Sequence, residues 1–240
     1  MARVGSPAIA DEHLRLIFNS KLFRGIPEKE GRALVELSKF RIFQRDELIF
    51  TQDQPVNQIL LVESGGVKLT QISPKGVEVI VWIRGPGELI GSTELFGQSQ
   101  HTCSTRALAR CTALTWDILP VQLKVQHLPI VKSNIGNILF DQLQDLESRF
   151  FEIATQRVSH RVAFTILRTV NILGNPSSRG IEIGLSQKEL AQMASTNVFS
   201  ISRLMKNWES RGIVVVRKRA FVILDLPRLQ TASQDLEFDA

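Results

Sequence analysis

The stretch Leu185-Ser186-Gln187-Lys188-Glu189-Leu190-Ala191-Gln192-Met193-Ala194-Ser195-Thr196-Asn197-Val198-Phe199-Ser200-Ile201-Ser202-Arg203-Leu204 decides how the chain is read. It predicts two short helices joined by a tight turn. Ser186 followed by Glu189 is a capping box, a reciprocal pairing of side chain and backbone that starts a helix. Leu190, Met193 and Ala194 give that helix an apolar face, and the small Ala191 lets a second helix approach closely. Ser195-Thr196-Asn197 supplies the turn, with Thr196 or Asn197 able to cap the next helix through a side-chain oxygen. The second helix is expected to bury Val198, Ile201, Leu204, Met205 and Trp208 along one stripe. Ser200, Ser202, Arg203, Lys206 and Asn207 fall mostly outside it. A polar, basic helix propped on an apolar one suits insertion into a DNA major groove.

An ordinary helical hairpin with a solvated outer face has the same spacing, so the residues downstream matter. Gly212 ends the second helix; Ile213-Val214-Val215-Val216 and Phe221-Val222-Ile223-Leu224 then flank Arg217-Lys218-Arg219-Ala220. That pattern predicts a hairpin with a cationic tip, a wing beside the reading helix that meets phosphates. Charge agrees. Residues 1–154 hold 17 Lys and Arg against 17 Asp and Glu, whereas residues 155–240 hold 12 against 7, so the whole +5 excess lies in the C-terminal part. Attraction to a polyanion is therefore a property of that part alone.

With 43% hydrophobic residues, the 240-residue chain has ample material for one large or two modest domains. Cys103 and Cys111 are its two cysteines, with no CxxC pair, and no signal peptide is apparent. These features point to a reducing cytoplasm. No apolar run approaches the roughly eighteen residues of a membrane span. The first dozen residues read as a loose leader, and those after Leu229 as a polar tail.

Between these ends the texture changes twice. Residues 13–39 read as short helices around Leu14, Ile17 and Phe18 and then Ala33, Leu34 and Leu37. From Arg41 to about Ile118 come short strand candidates: 42–43, 48–50, 59–62, 67–70, 77–83, 102–108 and 113–118. Turn signals such as Ser64-Gly65-Gly66, Ser73-Pro74-Lys75-Gly76 and Gly85-Pro86-Gly87 separate several of them. Many short strands at this spacing predict an antiparallel barrel or jelly roll. From Pro129 the chain turns helical for about seven turns. Leu139, Leu143, Leu146, Phe150 and Ile153 recur at alternating spacings of four and three, a heptad seam that predicts pairing with a second copy. A helix laid on the barrel of its own chain would use the same stripe. Thr155 to Asn175 forms one more helix, with Val162, Ile166, Val170 and Leu173 inward.

In this order of elements the sequence resembles the cyclic-AMP receptor protein/FNR (CRP/FNR) family of bacterial transcription regulators. The residues that carry the resemblance are Leu48-Ile49-Phe50, Val62-Glu63-Ser64-Gly65-Gly66-Val67-Lys68-Leu69, Gly87-Glu88-Leu89-Ile90-Gly91, His160-Arg161-Val162-Ala163, Leu185 to Arg203, and Gly212-Ile213. Each fragment is weak alone; together, in order from about Leu22 to Leu229, they are specific. The resemblance implies an α+β chain. An antiparallel jelly-roll sensor domain (13–128), resembling a cyclic nucleotide-binding domain, comes first, then a long dimerisation helix (129–154) and a winged helix-turn-helix (155–229). It implies a homodimer that binds palindromic double-stranded DNA, contacts RNA polymerase and is not an enzyme. Val198, Phe199, Ser202 and Arg203 fall on the family's base-facing positions. Ser200, Gln187 and Lys206, with Arg217, Lys218 and Arg219 on the wing, complete the expected DNA-binding set. An arginine such as Arg203 can bond bidentately to guanine O6 and N7. Phe199 departs from the acidic residue many members carry there, and Ser195 from the usual glycine of the turn.

Cyclic-AMP binders of the family use a Gly-Glu pair for the ribose and, further on, an Arg-Ser pair for the cyclic phosphate. The corresponding positions are Gly91-Ser92 and Thr102-Cys103, and both charged groups are missing. Leu146 and Glu147 stand where adenine-contacting hydroxyls are expected. Burying a cyclic phosphate without a cation is costly, so standard cyclic-AMP sensing is disfavoured. Arg106, on the same strand parity as Thr102, is the candidate substitute. The expected effector pocket comprises Trp82, Leu89, Ile90, Gly91, Ser92, Thr102, Cys103, Arg106 and Leu146, with Leu95 and Phe96 nearby; a simple core would use the same apolar residues.

Two cysteines cannot supply the four or so thiolates of an iron–sulfur cluster. Haem needs one axial side chain, which leaves His13, His101, His127 and Cys103 as candidates, although lone histidines are far more often structural. The cofactor is thus left unassigned. A jelly-roll metal oxygenase would need clustered histidines with a carboxylate, and the four here are scattered. A sensor subunit acting on a protein partner without DNA binding is the remaining alternative; Arg203 and the Arg217-Lys218-Arg219 tip count against it.

Overall fold

The structure, a computed structural model, describes residues 7–91, 95 and 100–232. Its elements begin with α1 (Pro7–Asn19), α2 (Glu28–Leu37), β1 (Lys39–Phe43), β2 (Leu48–Phe50), β3 (Gln58–Ser64) and β4 (Val67–Ile72). They continue with β5 (Glu78–Arg84), β6 (Leu89–Ile90), β7 (Ser104–Ala107), β8 (Cys111–Asp117), α3 (Ile118–Val125) and α4 (Pro129–Thr155). The last are α5 (Val158–Leu173), β9 (Asn175–Ser177), β10 (Gly180–Ile183), α6 (Gln187–Met193), α7 (Val198–Ser210), β11 (Val214–Arg217), β12 (Ala220–Ile223) and α8 (Leu226–Ala232). They divide into two compact units: Met1–Val67 with Arg84–Gln144, and Lys68–Ile83 with Asp145–Ala240.

The first unit is the β-rich domain that the turn spacing predicts. An antiparallel sheet runs β1-β8-β3-β6, and β2 pairs separately with β7 across a bulge between Leu48 and Phe50. Ile59 and Leu61 of β3 meet Leu114 and Trp116 of β8 in the same core as Ile17, Leu34, Val121, Val125 and Val131 from the flanking helices and Phe23 from the turn between α1 and α2. A buried indole usually finds a partner for its N–H, and Trp116 Nε1 donates to the Leu34 carbonyl at 2.7 Å.

In the second unit, β4 and β5 are neighbouring strands, and α5 is followed by a sheet ordered β11-β12-β10-β9 that carries α6 and α7. Ile201, Met205 and Trp208 of α7 are buried, as are Val162, Ala163 and Ile166 of α5 and Phe221, Val222 and Ile223 of β12. The long helix ends where Arg157 turns extended (φ −66°, ψ 162°) to cap α5.

Four expectations are corrected. Residues 7–12, read as part of a leader, are helical, Pro7 being tolerated where the N–H has no helical acceptor. Residues after Leu229 do not all form a tail: α8 continues to a buried Ala232, and Asp225 Oδ1 accepts from Arg228 N at 2.9 Å to start it. Helix α5 stops at Leu173 because Asn175–Ser177 forms a strand against β10, so the wing belongs to a four-stranded sheet rather than a lone hairpin. Strand β7 starts at Ser104, which leaves Thr102 outside it and removes the basis for pairing Arg106 with Thr102 by strand parity.

Candidate nucleic-acid interface

Helix α6 begins with the predicted capping box. Ser186 Oγ accepts from Glu189 N at 3.2 Å, and Glu189 Oε2 accepts from Ser186 N at 2.9 Å. Glu189 is buried and its other oxygen accepts from Lys68 Nζ at 2.8 Å. Burial alone would push this carboxyl up. The hydrogen bonds from Lys68 and Ser186, with the lysine's charge, outweigh that and hold it below the usual carboxylate range.

The turn after α6 closes as a Schellman motif. Thr196 N donates to the Ala191 carbonyl at 3.1 Å across Ser195, which sits in the left-handed region at φ +51°. A serine is strained there, whereas glycine is not. Arg161 of α5 supports the turn: Nε donates to the Ala194 carbonyl and Nη2 to the Ser195 carbonyl, both at 3.1 Å, while Nη1 reaches the Gln156 carbonyl at 3.0 Å. One guanidinium thus ties the end of α6 to the start of α5.

Of the two possible caps for α7, Asn197 is the one used, its Oδ1 accepting from Ser200 N at 2.8 Å. Val198, expected on the buried stripe, is 42% exposed at the first position of α7. Leu204 is only half-buried. The outward face carries Phe199, Arg203 and Lys206, all exposed, with Ser200 and Ser202 half-buried beside them. Those three positions follow the helical i, i+4, i+7 pattern and form one stripe. A second Schellman motif ends α7: Gly212 N donates to the Glu209 carbonyl and Ile213 N to the Trp208 carbonyl, with Gly212 at φ +69°. Gln187 stands half-buried at the start of α6.

At the wing, Arg217, Lys218 and Arg219 are all exposed where β11 turns into β12. Arg217 is engaged, since its Nη1 lies 2.9 Å from Glu182 Oε2 on β10. The tip is therefore less cationic than the bare sequence implies.

On α4, Leu139, Leu143, Leu146, Phe150 and Ile153 are all exposed, Phe150 at 75%, and Phe140 and Phe151 join them. Among the expected effector residues, Leu89 and Ile90 form β6, Gly91 follows it, and Cys103 is buried ahead of β7. These belong to the first unit with Thr102 and Arg106; Trp82 and Leu146 belong to the second. The Trp82 ring lies under the Arg149 guanidinium. Ser92 and Phe96 lie outside the described residues.

Both cysteines are buried, and burial, reinforced by the charge of Glu63, pushes the Cys111 thiol up to about 11, so it stays a neutral apolar group. His13 lies 3.3 Å from Glu63 and stacks on Phe40; His101 stacks on Phe50. Among the described residues no three His, Cys, Asp or Glu side chains gather as a metal site, and no helix is long and apolar enough to cross a membrane.

Arg161 and Lys68 brace α6 and the turn after it without having been assigned a role from sequence. Both belong to fragments that carry the family resemblance, but neither role has a local signature: Lys68 lies 121 residues from Glu189, and Arg161 33 from Ala194.

Two family descriptions match the chain: the cyclic nucleotide-binding domain over residues 40–118 and the Crp-like helix-turn-helix domain over residues 160–232. It is 20% identical over 216 residues to the CRP-like cAMP-activated global transcriptional regulator of Mycobacterium tuberculosis, covering 89% of this chain and 96% of that protein. It is 24% identical over 195 residues to the cyclic AMP receptor protein of Thermus thermophilus, covering 81% and 88% respectively. The solved structure of FixK2 from Bradyrhizobium japonicum shares the fold with a TM-score of 0.71 at 17% identity, covering 82% of this chain and 98% of that one.

Proposed function

The chain belongs to the CRP/FNR family of DNA-binding transcription regulators, and from that premise we propose that it works as a homodimer reading a palindromic duplex site. Two copies join along α4, and α7 of each enters a major groove. Arg203 bonds to guanine, flanked by Val198, Phe199, Ser200, Ser202 and Lys206. Gln187 and the wing residues Arg217, Lys218 and Arg219 bind phosphates. The observation that carries this reading is the exposed Phe199, Arg203 and Lys206 stripe on a helix capped at both ends. Dimers of this type read half-sites about one helical turn apart.

The apolar stripe from Leu139 to Ile153 supports pairing, because five large side chains left in water on one face find a partner in a second copy. By resemblance the dimer acts in the bacterial cytoplasm and contacts RNA polymerase. Its task is regulation rather than catalysis. Control is exerted by an effector other than cyclic AMP bound in the family's usual way. The residues present do not fit a cyclic phosphate: Thr102 and Cys103 are uncharged, and Arg106 Nη1 donates to the Asp46 carbonyl at 3.2 Å. The pocket proposed for that effector draws on Leu89, Ile90, Gly91, Thr102, Cys103 and Arg106 of the first unit.

The test is selection of bound duplexes from a random pool by the purified full chain, with and without cell extract. Enrichment of a two-fold symmetric sequence is expected. No enrichment over competitor under either condition overturns the reading in favour of a sensor acting on a protein partner.

A further inference from the structure

The most exposed large apolar side chain among the described residues is Phe199, at 88%. It lies on the same stripe of α7 as Arg203 and Lys206, one helical turn before the arginine, and Val198 beside it is also exposed. The first turn of α7 contains no acidic residue. The leading end of the reading helix is therefore apolar, although its position beside two cations on a DNA-facing stripe would normally favour a polar group.

We propose that Phe199 reads the C5-methyl group of thymine, so that each half-site carries a thymine near the guanine bound by Arg203. This rests on the DNA-binding reading above and specifies its chemistry. A phenyl ring cannot accept a hydrogen bond from cytosine N4 or adenine N6. It can pack against the thymine methyl, the one apolar group a base pair shows in the major groove. Four helical residues span about 6 Å, and base pairs stack about 3.4 Å apart, so the two side chains address positions about two steps apart. The ring also gains by leaving water, because most of its surface is wet in the free protein.

The test alters the DNA by single methyl groups. Each thymine of the selected half-site is replaced in turn by deoxyuridine, and binding by the full chain is measured at fixed salt. One replacement near the guanine should weaken binding about three- to tenfold, the scale of one packed methyl, while the others have little effect. Phe199→Ala should weaken binding to the thymine site and abolish its difference from the uracil site. Placing 5-methylcytosine at the sensitive position should bind better than cytosine for the unaltered chain only. Phe199→Glu, which supplies an acceptor for cytosine N4, should shift preference toward cytosine there.

If no single uracil matters while Arg203→Ala still relaxes guanine preference, the phenyl reading is wrong and DNA recognition stands. If the unaltered chain distinguishes no duplex from random competitor, the DNA-binding reading itself fails.

Discussion

Lys68 Nζ lies 2.8 Å from Glu189 Oε1, and the two side chains retain only 11% and 6% of their exposure. The lysine comes from strand β4 and the glutamate from the capping box of α6, so one carboxylate both starts the helix and neutralises a buried cation. Removing one partner of a buried pair strands the other charge. Lys68→Met should therefore cost about 3 kcal/mol or more in chemical denaturation. Glu189→Gln keeps a side chain able to cap while removing the charge. Combined with Lys68→Met it should cost clearly less than the sum of the single changes, and strict additivity would show that the pair is not coupled.

The same carboxylate gives a pH dependence. Its folded-state pKa is lowered, so its contribution is complete above the ordinary value of 4.5 and is lost as pH falls through the lowered one. Asp117, held down by hydrogen bonds from Lys39 and Gln58, titrates in the same direction. The difference between the wild-type chain and Glu189→Gln isolates the first group. That difference should be constant near neutrality and shrink from about pH 4.5 downward; growth on acidification would reverse the assignment.

Ser195 stands in the left-handed region at the turn and is held there by its neighbours. Ser195→Gly should raise stability by about 0.5–1 kcal/mol, since the relief of strain exceeds the added freedom of the unfolded chain. Arg161→Lys should lose stability despite keeping the charge, because one ammonium cannot span the Gln156, Ala194 and Ser195 carbonyls. Thermal melting of both variants decides. A stable lysine variant would show that the three bonds contribute little.

Arg203 and the wing should separate by the kind of binding they lose. Arg203→Ala should cost about 1–3 kcal/mol at the selected site and relax one base pair, with a smaller effect on random DNA. Changing Arg217, Lys218 and Arg219 should weaken all sequences alike and flatten the salt dependence, by about 0.9 in slope for each phosphate no longer neutralised. Arg217→Ala alone should change that slope less than Lys218→Ala, because Glu182 already holds the Arg217 guanidinium. An unchanged slope in the triple variant removes the wing from the interface.

Leu146→Asp addresses the pairing of copies. Leu146 is 44% exposed in the single chain, so the change disturbs little internal packing. Monomers in sedimentation, with unchanged circular dichroism, are expected. An intact dimer would refute the α4 seam.

Local rules were legible, and long-range ones were not. The Ser186–Glu189 box and the heptad spacing of α4 are fixed by residues within a turn or two of each other, so their spacing exposes them. Strand β9 escaped because Asn175-Pro176-Ser177 has turn chemistry, and its pairing with β10 rests on backbone bonds and on Ser177 Oγ donating to the Gly180 carbonyl. Helix α8 did carry a signal, Asp225 ahead of Leu226-Pro227, but the polar residues after it obscured that signal. The exposed stripe of α7 could be placed because a helix fixes its own faces. Its braces could not, since Arg161 and Lys68 act across folds of the chain whose geometry no window of sequence contains.

The bare ring of Phe199 also matters before any duplex arrives. An oily knob at the tip of an otherwise wettable surface invites like molecules to clump. Stock solutions should stay clearer when mixed with operator fragments than when stored alone, and light scattering would register nucleic acid acting, for this regulator, as a solubiliser as well as a target.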